Sequence, residues 1–172
     1  TIVQDVRAVK DMIDAKMMDR GHAQRNVKLG TGGIREIEFF VQTVQVLAGR
    51  TVPALLDRST LASLNRLAKK KLLSTEDRDA LAAAYLFLRD VEHKLQMVDD
   101  LQTHALPERS EELERCAVRM GYGAEDRTVA LKRFSIDHAR HTKVVHDQFL
   151  SFFSRPESSL IFHAVFRLMR QQ

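Results

Sequence analysis

Within residues 27–42, VKLGTGGIREIEFFVQ, three glycines (Gly30, Gly32 and Gly33) are bracketed by Lys28 and Arg35 and followed by Glu36 and Glu38. Residues of these types at this spacing suit the handling of anions. Glycine adopts backbone conformations that a Cβ resists, and it lets another chain or a ligand come close. Amides at the start of a following helix can accept an anion, and the two cations add charge. Two named phosphate cradles fail here. A Walker loop ends in Gly-Lys-Ser/Thr, which is absent. A dinucleotide fingerprint needs glycine at its sixth position, where counting from Gly30 finds Arg35. Glu36 and Glu38 also suit the positive end of a helix dipole. Two readings stay open on these residues: the rim of an active site, or a charged corner between helices.

Other constellations invite chemistry less strongly. Tyr85, Arg89, Glu92 and Gln96 share one helix face, where they form either a polar ladder bracing the Arg35/Glu36 corner or ordinary surface pairs. His138, His141 and His146, with Asp137, have no third metal ligand at a suitable spacing and read as core or edge histidines. Asp77-Arg78-Asp79 reads as first-turn charge, and the basic runs KKK (69–71) and KRFSIDHARHTK (132–143) as solvated helix surface. Cys116 is the only cysteine, so no intrachain disulfide can form, and its neighbours Leu113, Ala117 and Met120 predict a buried thiol.

These residues need long helices to position them. Apolar spacing predicts helices over 2–20, from Ile34 to Gly49, over 59–70, and for about 25 residues after Ser74, whose Asp77 three positions on resembles a capping box. A short helix carries Leu113 to Met120, and GYG (121–123) closes it. A long helix from about Glu125 to Ser154 has an inward seam through Phe134, His138, His141, Val145, Phe149 and Phe152. A last amphipathic piece, LIFHAVFRLM, follows Pro156. The expected architecture is all-α: an antiparallel bundle of six or seven helices in one domain, 1–172. It divides into a leading helix (1–25), a glycine-rich corner (26–34), the bundle (35–154) and a C-terminal helix (155–172). Seven glycines and three prolines in 172 residues leave little punctuation for a many-stranded sheet. A net charge of +4 with interspersed signs argues against a nucleic-acid partner, and no apolar run reaches the length of a membrane span. The chain starts at Thr1 with a helix under way, which leads us to expect a piece of something longer.

NVKLGTGGIREIEFFVQ (26–42) resembles the K-L-G-x-G-G-I-R-E-I-E-F signature of the glutamine synthetase adenylyltransferase family, the adenylyl-transferring and adenylyl-removing enzymes of bacteria. AYLFLRDVEHKLQ (84–96) is similar to the family's Y-x-F-L-R-x-x-E-x-x-L-Q segment, and LQTHALP falls where a comparable turn follows that helix. The likeness covers roughly residues 1–150. It implies a helical domain of a cytoplasmic, multidomain nucleotidyltransferase. Arg35 and Glu36 match the half that removes AMP from glutamine synthetase by transfer to phosphate, releasing ADP. It further implies magnesium and ATP or ADP in the full-length enzyme, glutamine synthetase and a PII signal protein as partners, and an adjoining nucleotidyltransferase domain. The family's Gly-Ser turn does not occur in this chain, and its only Asp-x-Asp, Asp77-Arg78-Asp79, sits at a helix start without the turn or strand of the family's metal pair. That places the metal site on the neighbouring domain and predicts no catalysis, and no tightly held cofactor, by these residues alone. On this reading Lys28, Gly30, Gly32, Gly33, Arg35, Glu36 and Glu38 form a rim, with Tyr85, Arg89, Glu92 and Gln96 behind it. A protein-interaction module with a purely structural corner is the alternative, as is the equivalent region of a PII uridylyltransferase.

Overall fold

The computed structural model describes residues 25–97, 104–123, 125–153 and 160–170. The expected leading helix over 2–20 lies outside them, as does the far end of the helix of about 25 residues expected after Ser74. Among the described residues six α-helices follow one another: α1 (Ile34–Ala48), α2 (Thr60–Lys69), α3 (Thr75–Gln96), α4 (Ser110–Arg119), α5 (Arg127–Phe153) and α6 (Leu160–Arg170). A short 3-10 turn, Pro53–Leu55, sits in the connection after α1. The described residues contain no strand, and the fold is all-α as expected.

Local chemistry sets several boundaries. Ser59 opens α2, its side chain accepting the amide of Ala62. Ser74 opens α3 in the same way with the amide of Asp77, and its hydroxyl also donates to the Asp77 carboxylate at 2.7 Å. Asp in place of Glu is too short for the usual reciprocal bond, so the side chains bond to each other instead. The spare Asp77 oxygen accepts from Gln148 of α5. α5 begins two residues later than the sequence predicts, because the Asp126 carboxylate takes the amides of Thr128 and Val129 and so stops the helix.

α5 is the spine, packed against α1, α3 and α4, while α2 lies on α1 and α3 and α6 lies on α1. Its inward seam buries Phe134, Val145, Phe149 and Phe152, with His138 and His141 half-buried. The α1–α5 contact is aromatic: the Phe40 and Phe152 rings meet edge-on at 5.2 Å, and Phe39 lies 5.5 Å from Phe153. Such rings bury large area and fix the two helices in register. α3 contributes Leu81, Leu88, Val91 and Leu95 to the same core, with Tyr85 half-buried at its edge.

Candidate functional site

The glycine stretch is wound back on itself by hydrogen bonds. The Asn26 side chain accepts the amides of Lys28 (3.0 Å) and Leu29 (2.8 Å), an Asx turn that starts the reversal. The amide of Gly33 donates to the carbonyl of Gly30. The carbonyls of Val27 and Lys28 then take the amides of Ile34 and Arg35, and the carbonyl of Gly33 takes that of Glu36. Of the amides expected to be open to an anion, those of Gly30, Gly33, Ile34, Arg35 and Glu36 are occupied by the corner's own carbonyls.

Gly32 explains why the sequence spends glycine here. Its φ is +70°, and a Cβ built on it would stand 2.0 Å from the carbonyl oxygen of Thr142 in α5. What comes close is the spine helix itself. Gly30 and Gly33 are buried with it. Upstream, the segment 25–27 pairs with 104–106 through Val27 N–H to His104 O and Leu106 N–H to Arg25 O, both 2.8 Å, around an isolated bridge between Asn26 and Ala105.

The charged residues divide into an inner and an outer set. Glu36 is 2% exposed, and its Oε2 lies 3.3 Å from His146 Nδ1 of α5. Glu92, 4% exposed on α3, accepts a 2.7 Å bond from Arg89 and lies 3.7 Å from Lys28 Nζ. His104 Nδ1 approaches it to 3.0 Å without the geometry of a hydrogen bond. One buried carboxylate thus gathers the corner, its own helix and the 104–106 segment. Of the expected ladder, Arg89 and Glu92 meet in this cluster, while Tyr85 packs at the core edge and Gln96 is exposed. The outer set is Arg35, whose side chain is half exposed and reaches Glu38 only at 3.7 Å, and Lys28, whose side chain is 31% exposed.

Comparison with known proteins settles the family. The family model described as GlnD PII-uridylyltransferase matches residues 7–153. A bifunctional glutamine synthetase adenylyltransferase/adenylyl-removing enzyme of Mesorhizobium japonicum is 50% identical over 126 residues, 70% of this chain and 12% of that protein. Proteins of the same name from Brucella suis (44% over 158 residues, 89% and 15%) and Bradyrhizobium (41% over 157 residues, 87% and 15%) agree. This chain belongs to the glutamine synthetase adenylyltransferase family. It spans about an eighth to a seventh of the length of the curated relatives it matches. Relatives carrying the adenylyltransferase name favour that branch over the uridylyltransferase alternative.

Two further groups bear on how an adenylyltransferase would use this region. Asp77 and Asp79 are engaged structurally, the first at the head of α3 and the second with Arg78 at 2.8 Å. Among the described residues no three His, Cys, Asp or Glu side chains stand close enough to hold a metal ion. His138 and His141 lie against the Phe87 ring, at 6.4 and 4.6 Å, and burial pushes both imidazoles below their usual pKa. The contacts made by His104, Thr142 and His146 went unread in the sequence. Each joins residues far apart in the chain, and no spacing rule signals them.

Proposed function

We propose that this chain is the helical domain behind the adenylyl-removing half of a bifunctional adenylyltransferase, and that it lends a cationic rim to the neighbouring catalytic domain. Arg35 is the contact residue: its guanidinium pairs with the oxygens of the phosphate acceptor or of the transferred adenylyl group. Lys28 adds charge from the side, and Gly30, Gly32 and Gly33 seat the corner against α5. Glu36 holds the first turn of α1 through His146, and Glu38 restrains Arg35. Magnesium and the bound nucleotide belong to the neighbouring domain, which supplies the charge stabilisation that phosphoryl-type transfer needs. Glutamine synthetase is the substrate protein, a PII signal protein the regulator, and the cytoplasm the compartment. These 172 residues alone do not turn over.

The observation that carries the reading is the contrast between the two sides of one corner. The amides of Gly30, Gly33, Ile34, Arg35 and Glu36 and the buried carboxylates of Glu36 and Glu92 have partners within the fold, while the Arg35 side chain is 50% exposed. A cation carried on hydrogen-bonded backbone stands ready to meet charge that develops beside it. The test is phosphate-dependent release of ADP from adenylylated glutamine synthetase by the longer protein carrying Arg35→Ala. Loss of such a contact should lower kcat on the order of 100-fold, with an unchanged circular dichroism spectrum and unchanged adenylyl addition by the other half. Wild-type removal by a folded Arg35→Ala protein would overturn the rim.

A further inference from the structure

A cleft of about 400 Å³ opens between the end of α3, the 104–108 segment and α4. That size lies within the range of small-molecule sites. Its floor is apolar, made by Leu95, Leu106 and the buried Cys116. Arg115 and Arg119, one helical turn apart on α4, line it, as does Lys94 of α3, whose Nζ lies 4.0 Å from Asp90. Neither arginine takes part in an ion pair among the described residues. Arg119 is near enough to act on the Cys116 thiol, opposing the rise in its pKa that burial causes. Glu108 and Glu112 line the other end, by the first turn of α4. Seven residues separate Glu112 from Arg119, about 10 Å along a helix. Arg115 stands between them, about 4.5 Å along the helix from Glu112, so the lining runs from acidic at Glu108 and Glu112 to cationic at Arg119.

We infer that this cleft binds a small organic monocarboxylate, its carboxylate at Arg115 and Arg119 and its carbon body over Cys116. Arginines one turn apart, without an ion pair among the described residues, can recognise a planar carboxylate in forked geometry. The apolar floor selects against a bare inorganic anion, and the acidic end selects against a second carboxylate. Binding here reaches the glycine corner by a short route. The wall formed by 105–107 is the same segment that pairs with 25–27, and Arg25 also donates to the Pro107 carbonyl at 3.4 Å. This inference stands apart from the rim: it concerns a different face and is read without enzyme activity.

The test is a titration of the 172-residue chain, followed by calorimetry and by amide shifts in nuclear magnetic resonance, with hexanoate, adipate and inorganic phosphate. Hexanoate should saturate with a Kd on the order of 1 mM, move the amides of Val27 and Lys28, and bind more tightly than adipate or phosphate. Arg115→Ala/Arg119→Ala, two exposed positions, should weaken hexanoate about tenfold or more while the fold persists. Glu112→Gln should bring adipate up towards hexanoate. No saturation, equal binding by the double-arginine variant, or adipate binding as tightly as hexanoate in the wild type would each overturn the site. Saturation without movement at Val27 and Lys28 would overturn the link to the corner.

Discussion

Gly32→Ala tests the contact on which the placement of the corner rests. The substitution has two costs. At φ +70° a residue with a Cβ pays about 1 kcal/mol of backbone strain. The added methyl would also stand 2.0 Å from the Thr142 carbonyl oxygen, far inside an ordinary contact of roughly 3.4 Å. That neighbour is helix backbone and cannot rotate away. α5 or the corner must retreat by more than 1 Å, against the packing of Val145 and Phe149 just beyond Thr142 and against the Glu36–His146 contact. Overpacking of this kind costs about 1–3 kcal/mol, giving about 2–4 kcal/mol in all. Gly121 supplies the control. It has φ +89° with nothing within 4 Å of its built Cβ, so Gly121→Ala should show the strain alone, about 1 kcal/mol. Urea unfolding of both variants, read by far-ultraviolet circular dichroism, isolates the contact as their difference. For a chain of this size a 3 kcal/mol loss lowers Tm by roughly 6–12 °C. If the two alanine variants unfold at the same midpoint, α5 does not press on the corner, and the account of Gly32 fails.

Three more outcomes follow from the same contacts. Glu92→Ala leaves Arg89, His104 and Lys28 around an empty position; it should cost about 2–3 kcal/mol, and a Tm within 2 °C of wild type, set against roughly 2–4 °C per kcal/mol, would show the cluster to be idle. His138 and His141 have pKa values depressed by burial, so the unfolded chain binds more protons just below the free-histidine value of about 6.5; stability is full above that pH and falls on acidification towards the depressed values. Melting curves between pH 7 and 5 should therefore show a smaller loss in His138→Asn than in wild type, and parallel losses would refute the assignment. Cys116 is 3% exposed with a thiol pushed up by burial, so iodoacetamide at neutral pH should label it only after denaturant is added, and rapid native labelling would place it elsewhere.

Helix existence was legible because it depends on neighbours in sequence. Apolar residues three and four apart must share a helix face, and Ser59, Ser74 and Gly49 mark ends through bonds to residues no more than four away. The same local logic exposed the glycine corner as a special backbone, the Arg89–Glu92 pair as neighbours on α3, and Cys116 as a buried thiol. The motif GTGGIREIEF carried the family with it. None of these needed a partner from elsewhere in the chain.

Tertiary structure decided what those features meet. Glycines suited to a close-approaching ligand proved to be seated by the Thr142 carbonyl, 110 positions from Gly32. Glu36 was buried against His146, Glu92 drew in Lys28 and His104, and the chain at 25–27 found its hydrogen-bond partner at 104–106. Which carboxylate is engulfed and which arginine is left facing solvent depends on how α1, α3 and α5 close around the corner. Hydrophobic burial drives that closure without regard to direction, so side-chain spacing along one helix carries no record of its partner on another.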